Sequence, residues 1–589
     1  MHHSSLLITL FTFMLSAASE LIEVHGVKNA GVRPRLELRD LAANTAMLNL
    51  FLQGLERFQA TDQSDPDSYF EIAGIHGVPY RSWQDISPRP GASAPGYCPH
   101  FSNVFFPWHR PYLALFEQSL YKHILDVVRQ FPEGDERDQQ RKVADAIRLP
   151  YWDWALPLKS GPIIPEIMSN KTIVVKRPNG TEESIQNPLY SYRFHPHNPD
   201  ELNDNVLKVS LSDQLYQFIS TKRSPTSSPA DNEDAPEDLK AAEERFSTGI
   251  QQKRDRLFNL LWKNTTYSAI SNHGGQADNF EEIHGWAHLS IGGTNGPHGH
   301  MTETPMSAFD PSFWLHHAMM DRLIAIWQRL HPETYVEPQS QDFGTWAYSV
   351  RSTLDANSSL YPFPKSQDEM WTSNEVRDTR VFGYTYVELQ LPKIQDIKAA
   401  VNTLYNDNPS FGKRSMDNGT RVYDPTADFI EYNANVAIDQ MAVGGGSFAV
   451  YFFLGTFSQD TTDWDYDDNL IGTEAILSIK APHGDSGPSL ITGSVPLTRS
   501  LRARWENGRL ESLDEDKVIP YLQEHLHWRV RRSSDGAQVP VSRLPSLAVS
   551  VVSSLIRPAQ SEGEFPRQLT DTKTHPEVVD HNEGDGDLS

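Results

Sequence analysis

The sequence predicts a mainly α-helical domain followed by a smaller, sandwich-like all-β domain. Between about residues 39 and 390, apolar side chains recur at helical spacing, as in Ala43 to Phe58 and in Tyr112 to Val128. Strand-like alternation is scarce in this part. Beyond about residue 429, short runs such as Glu431 to Ile438 alternate or carry β-branched and aromatic residues. The two parts of the chain therefore differ in structural class.

Composition and pattern divide the chain further. We expect a leader at residues 1–18, the helical domain at 19–410, a linker at 411–428, the β domain at 429–560 and a polar, acidic, disordered tail at 561–589. The linker contains the dibasic pair Lys413-Arg414, which a protease could use as a processing site. Ordinary surface charge is the alternative interpretation of this pair.

The first residues are typical of a secretory signal peptide. Leu6 to Leu15 is an apolar run too short to span a bilayer, and the small residues Ser16, Ala17 and Ala18 follow it. The leader has no Lys or Arg, so a buried N-terminal segment is the alternative. Five glycosylation sequons add support for a secreted protein. They begin at Asn170, Asn179, Asn264, Asn357 and Asn418.

Charge and cysteine content exclude several functions. The 589 residues include 52 basic and 77 acidic side chains, a net charge of −25. A nucleic-acid partner would require a basic face, and anionic lipid would be repelled, so neither is expected. No stretch after the leader approaches the length of a membrane helix. The single cysteine, Cys98, excludes a disulfide scaffold and any site that needs several thiolates.

Histidines supply the strongest functional signal. His284 and His288 lie four residues apart, on one face of a predicted helix. Since 22 histidines should produce about one such pair by chance, a surface pair is the alternative until other residues join it. The apolar segment Asp310 to His317 carries a further histidine pair, and His76, His100 and His109 lie in aromatic surroundings. Two groups of three histidines suit copper, zinc, iron or nickel.

Two segments resemble the copper signatures of a known family. Residues 100–110 (HFSNVFFPWHR) and 310–321 (DPSFWLHHAMMD) are similar to the first and second signatures of the tyrosinase and polyphenol oxidase family of type-3 copper proteins. The C-terminal half resembles the fungal branch. The resemblance implies a four-helix bundle around two copper ions, followed by a β-sandwich latency domain. Tyr384-Thr385-Tyr386 resembles the tyrosine motif that closes the core, and Arg39 resembles the arginine packed against it.

The resemblance also implies individual roles. One copper would be bound by His76, His100 and His109, and the other by His284, His288 and His317. The signature selects His317 over His316, which would be a buried hydrogen-bonding neighbour. Cys98 would form a thioether with a ring carbon of His100, with a buried inert thiol as the alternative. Phe105 and Phe313 would pack between the copper sites, or serve as plain core residues.

The implied activity is oxidation of phenols by O2. Monophenols would be hydroxylated at the ortho carbon, and o-diphenols would be oxidised to o-quinones. In the family, a water held by a Glu and an Asn helps to deprotonate the phenol. Glu281 matches the Glu, although a capping box at Asp278 to Glu281 is a rival explanation. Gly285 replaces the Asn, which raises catechol oxidase with little monophenolase activity as an alternative. Leu289 and Thr304 resemble substrate-pocket residues.

The β domain resembles a domain that covers the active site until a protease cleaves the chain. Tyr451, Phe452 or Phe453 would enter the substrate pocket, with sheet-core packing as the alternative for each. Two other functions share part of the histidine pattern. A reversible oxygen carrier resembling haemocyanin is disfavoured because the chain has a single copper unit, and a zinc hydrolase because the two triads lack a carboxylate ligand. A role in melanin formation follows from the family by association alone.

Overall fold

A computed structural model describes most of the chain. The described residues are 20–92, 96–203, 215–263, 266–272, 278–406, 414–417, 420–423, 427–478 and 490–579. The predicted leader lies outside them, as does Lys413. Among the helices of these ranges, none combines the length and the hydrophobicity needed to cross a bilayer.

The helical domain is built on six longer helices, which include the helical segments predicted from periodicity. They are α1 (Thr45–Gln59), α2 (Phe105–Arg129), α3 (Leu239–Lys263), α4 (Phe280–Gly292), α5 (Pro311–Leu330) and α6 (Ile394–Tyr405). Asp135–Ala146 is as long as α6, and shorter helices are Leu38–Ala43, Tyr69–Gly74, Glu166–Ser169, Pro199–Leu202 and Tyr267–Ser271. Helices α1, α2, α4 and α5 form the bundle, in which α2 packs against α1 and α5, and α5 packs against α4. The predicted bundle is confirmed.

The starts of α4 and α5 are fixed by side-chain caps. The Asn279 side chain accepts a hydrogen bond from the backbone N–H of Glu282, which begins α4. The Asp310 side chain accepts one from the N–H of Ser312, and Pro311 occupies the first turn of α5. The predicted capping role of Glu281 is wrong, because the cap falls one residue later along the chain. The Glu281 side chain instead lies next to His100.

A buried polar network closes the helical domain beneath the bundle. The Asp321 carboxylate accepts hydrogen bonds from the hydroxyls of Tyr384 (2.7 Å) and Tyr386 (2.6 Å). The guanidinium carbon of Arg35 lies 3.5 Å from the centre of the Tyr384 ring. The arginine of the tyrosine motif is thus Arg35. The prediction of Arg39 is wrong, since that side chain pairs with Glu37 at the domain surface.

The C-terminal domain contains two antiparallel sheets. Its strands are β1 (Phe429–Asp439), β2 (Phe448–Leu454), β3 (Leu470–Ile476), β4 (Leu490–Pro496), β5 (Leu526–Arg532), β6 (Gln538–Val539), β7 (Ala548–Arg557), β8 (Arg567–Gln568) and β9 (Lys573–Thr574). One sheet has the order β4-β1-β7-β8, with β9 also paired to β7, and the other has the order β3-β2-β5-β6. Helices Thr498–Glu506 and Glu515–His525 complete the domain. The predicted sandwich-like class is confirmed.

Two expectations about the ends of this domain need correction. The tail predicted to be disordered from residue 561 is ordered to residue 579, because β8 and β9 pair with β7 and Pro576–Val579 forms a short helix. Residues 580–589 lie outside the described ranges. The predicted linker contains a short hairpin, in which Arg414–Asp417 pairs with Thr420–Tyr423.

The two domains exchange apolar side chains at their interface. Strand β3 packs against α4, and Ala475 and Leu477 belong to the apolar cluster of the helical domain. In return, Phe101 of the helical domain belongs to the apolar cluster of the C-terminal domain. Because β3 is the outer strand of its sheet, the helical domain covers an edge that would otherwise be exposed. The C-terminal domain is therefore docked directly over the histidine-bearing helices.

Candidate metal centre

The first three histidines converge from separate elements. His76 follows the helix Tyr69–Gly74, His100 lies in the loop before α2, and His109 lies on α2. Backbone carbonyls accept hydrogen bonds from Nδ1 of His76 (Thr304, 2.9 Å) and of His109 (Phe105, 2.8 Å). This fixes the tautomer in which Nε2 carries the free lone pair.

The Nε2 atoms of His76 and His100 are buried and have no hydrogen-bond partner in the described part of the chain. A buried imidazole nitrogen without a partner is costly unless something absent from the protein binds it. These two orphaned lone pairs are what a metal ion would satisfy. The first triad therefore fits a metal.

The second three histidines present their Nε2 atoms to one another. His317 Nε2 lies 3.0 Å from His284 Nε2 and 3.4 Å from His288 Nε2. Nitrogens bound to one tetrahedral ion at about 2.0–2.1 Å would be about 3.3 Å apart. The Nδ1 atom of His288 is anchored on the carbonyl of Met301 at 2.8 Å. This spacing fits a second metal ion.

His316 also lies near the second triad, and its role has to be separated from that of His317. A nitrogen of His316 falls within 4.8 Å of nitrogens of His284 and His288. Both of its ring nitrogens are already engaged, however. Nδ1 accepts from the Trp154 indole (3.2 Å), and Nε2 donates to the His284 carbonyl (3.2 Å). The geometry therefore favours His317 as the third ligand and makes His316 the predicted buried neighbour.

Burial keeps all of these imidazoles neutral. It lowers the pKa of every one of the seven histidines, and the pKa falls to about 3 for His100 and His288. Neighbouring histidines lower the pKa further at most of the seven positions. Metal ions bind the neutral form of histidine, so no proton has to be displaced at neutral pH. The histidine set is prepared for metal before any ion arrives.

Two phenylalanines fill the space around the triads. Phe313 stacks on His317 with ring centres 3.9 Å apart, and Phe105 lies 4.5 Å from His109 and 5.1 Å from His284. The rings of His109 and His317, one from each triad, are 4.4 Å apart. Both phenylalanines contact histidines of the two triads.

Cys98 lies inside the first site. Its sulfur is 3.6 Å from His109 Nε2 and within 4.8 Å of ring nitrogens of both His76 and His100. Burial raises the pKa of the thiol. The sulfur is therefore close enough to the imidazoles for the predicted thioether with His100, which stays a prediction.

Glu281 faces the first site. Its Oε1 atom accepts a hydrogen bond from the backbone N–H of Phe101 (2.7 Å) and lies 3.5 Å from His100 Nδ1. Oε2 is buried and has no hydrogen-bond partner in the described ranges. Burial raises the pKa of this carboxyl well above its ordinary value. Glu281 thus lies between Phe101 and His100, and its predicted part in phenol deprotonation stays a prediction.

The three predicted pocket residues have different surroundings. Thr304 is buried beside the first triad and supplies the carbonyl that anchors His76. Leu289 lies one residue after His288 and lines an interdomain cavity of about 30 Å³. Gly285 faces the C-terminal domain: a β carbon on it would lie 3.3 Å from the Ala475 carbonyl oxygen and 3.5 Å from Leu477 Cβ.

The three aromatic residues considered as a plug lie within the C-terminal domain. Tyr451 donates to Asp465 (2.8 Å) and lines the same cavity as Leu289, Phe453 stacks on Phe457, and Phe452 belongs to the domain core. Sequence reasoning missed the segment Ala475 to Leu477, which lies over α4. No local sequence pattern indicates that this segment contacts α4, because the two are far apart along the chain.

Two sets of three buried imidazoles, within a helical bundle and beneath a β domain, define the protein as one with a paired metal site. The family model for the common central domain of tyrosinase matches residues 66–330, and that for the tyrosinase C-terminal domain matches residues 431–551. The chain therefore belongs to the tyrosinase family, whose members are copper-dependent phenol oxidases with two copper ions.

Individual relatives are similar in sequence or structure to this chain over most of its length. A tyrosinase of Neurospora crassa is 30% identical over 679 aligned positions, which cover 94% of this chain and 96% of the relative. Polyphenol oxidase 2 of Agaricus bisporus is 30% identical, covering 84% of this chain and 88% of the relative. A mushroom tyrosinase crystallised in latent and active forms superimposes with a TM-score of 0.77 at 25% identity, covering 94% of this chain and 98% of that one.

Proposed function

We propose that this protein is a latent tyrosinase that hydroxylates monophenols at the ortho carbon and oxidises o-diphenols to o-quinones. The single observation that supports it is the convergence of His284, His288 and His317 Nε2 atoms beside the orphaned nitrogens of His76 and His100. Bound copper would supply the O2 binding and the electron transfer. The chain would supply six neutral imidazoles, a dry pocket and control of access.

A second candidate, catechol oxidation with little monophenolase activity, is favoured by one position. Hydroxylation of a monophenol requires a group that removes the phenolic proton. Catechols are oxidised more readily and depend less on such a group. Gly285 offers no side chain where the family pattern has an amide, so Glu281 is left as the polar group beside His100. The unpartnered Oε2 of Glu281 can still hold a water or a substrate hydroxyl. The balance between the two activities rests on this carboxyl alone.

The proposed latency rests on contacts made by β3 and its neighbours. Ala475 and Leu477 cover Gly285, and ion pairs flank them. Glu474 lies 2.6 Å from the Arg256 guanidinium, and Arg499 pairs with Asp255 at 2.7 Å. A buried ion pair strongly favours its partnered arrangement, because separating it leaves a desolvated charge. A protease that cuts near Lys413-Arg414 would free the covering domain.

Oxygen uptake would test this function. We expect the copper-loaded full chain to consume O2 slowly with catechol, and much faster after limited proteolysis between the domains. Tyrosine in place of catechol then separates the two candidate activities. Copper-free protein, treated identically, is the control. Full copper loading without oxidation of either substrate after cleavage would contradict the proposal.

Secretion, glycosylation and the thioether belong to the same proposal. The sequons at Asn170, Asn179 and Asn357 are exposed and accessible to a glycosyltransferase, which suits passage through the secretory route. In the thioether, an S–C bond would replace the S–H bond of Cys98 and a C–H bond of the His100 ring, which releases two protons and two electrons. Bound copper would allow O2 to accept both, giving H2O2. Mass spectrometry of the peptide that contains both residues would show the loss of these hydrogens.

A further inference from the structure

Phe101, the residue after the ligand His100, has an unusual backbone conformation. Its φ angle is +58°, in the left-handed region that non-glycine residues rarely adopt. This conformation is strained for an L-residue, so the surrounding structure must impose it. The turn at Phe101 also sets the direction of the chain that carries His100. Whatever holds Phe101 therefore orients the ligand.

Two contacts hold Phe101. Its backbone N–H donates to Glu281 Oε1 at 2.7 Å, within the buried space between the loop and α4. Its ring belongs to the apolar cluster of the C-terminal domain, and it also contacts the Phe343 ring at 5.7 Å. The main chain of this residue is thus held by Glu281 of the helical domain, and its side chain packs against both the covering domain and Phe343.

His100 has particular need of such support. Nδ1 of His76, His109 and His288 each lies within 2.9 Å of a backbone carbonyl, which orients the ring. The neighbour of His100 Nδ1 is instead Glu281 Oε1, at 3.5 Å. That distance is too long for a strong hydrogen bond. The orientation of this ring therefore depends on the loop, and the loop depends on Glu281.

We propose that Glu281 is a positioning residue for copper: by accepting the Phe101 N–H it maintains the left-handed turn that aims His100 at the first metal site. This rests on the proposed copper function and adds to it. The role needs a carbonyl-type oxygen at this position and does not need a negative charge. It is therefore separable from any part that Glu281 plays in removing a phenolic proton.

The test compares Glu281→Gln with Glu281→Leu in the full chain. Glutamine keeps an oxygen that can accept the Phe101 N–H, whereas leucine fills similar space without one. Outer partners of metal ligands typically contribute 10–100-fold to metal affinity. We expect Glu281→Leu to weaken copper binding at the first site by about 10–100-fold. Glu281→Gln should stay near the wild-type affinity. Copper per chain and competition with a chelator give the readout.

A spectroscopic measurement separates this role from general destabilisation. Loss of one copper leaves a single Cu(II) with an unpaired electron, which gives an electron paramagnetic resonance signal that a coupled pair lacks. We expect that signal in Glu281→Leu and not in Glu281→Gln. The thermal midpoint of the copper-free proteins shows whether each variant folds, and rescue by glutamine supports positioning even where leucine unfolds the loop.

Three results would overturn the inference. They are equal copper loss in both variants, full copper retention in both, and loss from the second site in place of the first. None of these results would contradict the proposed function. That function is contradicted only if the wild-type chain binds no copper or oxidises no catechol.

Discussion

The carbonyl oxygen of Ala475 lies 3.3 Å from the point where a β carbon on Gly285 would stand. Gly285 directly follows His284, a proposed copper ligand, so the covering domain contacts this turn of the helix at the position that has no side chain. Leu477 Cβ lies 3.5 Å from the same point. The glycine that weakens the case for monophenolase activity thus also provides the space in which the C-terminal domain docks.

Replacing Gly285 by Asn should weaken latency. The new side chain would meet the Ala475 carbonyl and Leu477, and overpacking of this kind costs about 1–3 kcal/mol. Since 1.4 kcal/mol is tenfold in an equilibrium, the undocked fraction should rise by about 5- to 100-fold. The ratio of catechol oxidation before and after proteolysis measures the effect. Gly285→Ala is the control, because a lone β carbon needs only a small shift. Unchanged latency in Gly285→Asn would contradict the docking contact.

Lys253 on α3 should make docking pH-dependent. Its ammonium group donates to the Thr473 carbonyl at 2.6 Å. Burial, reinforced by the nearby charge of Arg256, lowers the pKa of Lys253 to about 7 from 10.5. In the separated domains this amine is exposed to water and regains its ordinary pKa. The separated state therefore binds more protons between pH 7 and 10.5, so docking strengthens as pH rises through that window. Below pH 7 the amine is charged in both states, and burying that charge weakens docking by its full amount, on the order of 5 kcal/mol.

Lys253→Met removes this cost at every pH. We expect the variant to be the more firmly docked at pH 7, and its advantage over wild type to shrink toward pH 10. The urea midpoint for the appearance of catechol oxidation reports docking. Lys240→Met, an exposed lysine on the same helix, is the control. An advantage that stays constant with pH would exclude titration of Lys253.

The six histidines that the sequence singled out lie together in the structure, whereas some predictions about the residues around them were wrong. Long signatures specify the ligands, and helical spacing brings His284 and His288 to one face. Arg35 and Arg39 lie four residues apart in the sequence, and only the distant Tyr384 decides which of them joins the network. Similarly, β2 is buried on both faces, so alternation could not show which domain its aromatic residues contact.

Nonlocal pairing explains the other errors. The tail looks disordered by composition because its order comes from pairing with β7, which no local pattern reveals. Composition and periodicity describe a segment by itself, whereas the order of the tail depends on the strand with which it pairs.

Asp321→Asn should destabilise the helical domain. The carboxylate accepts from Arg110 Nε at 2.7 Å and from Tyr384 and Tyr386. Burial alone would raise the pKa of Asp321, but Arg110, Arg35 and the two hydroxyls hold it below the ordinary value. Breaking a buried pair on one side costs about 3–5 kcal/mol, and we expect that loss in denaturant unfolding at pH 7.

The wild-type chain should lose the same stabilisation in acid. Because the folded-state pKa of Asp321 is depressed, its contribution is complete above the unfolded pKa of about 3.9 and disappears as pH falls through the folded value. Asp321→Asn should therefore converge with wild type at low pH. A constant difference between the two at all pH values would show that packing, and not charge, is responsible. Asp396→Asn, on α6, is the control.

The last prediction separates His316 from His317. His317 Nε2 faces His284 and His288, so His317→Ala should lower copper from two ions to one per chain and abolish catechol oxidation. His316 uses both nitrogens within the protein, so His316→Gln should keep both ions. It should lose about 1–3 kcal/mol of stability, because the Trp154 indole and the His284 carbonyl then depend on a less suitable partner. Copper analysis and thermal unfolding decide between them.

If His316→Gln lost a copper ion and His317→Ala kept both, His316 would be the ligand. His316 would then have to break its hydrogen bond with the Trp154 indole or with the His284 carbonyl in order to bind copper.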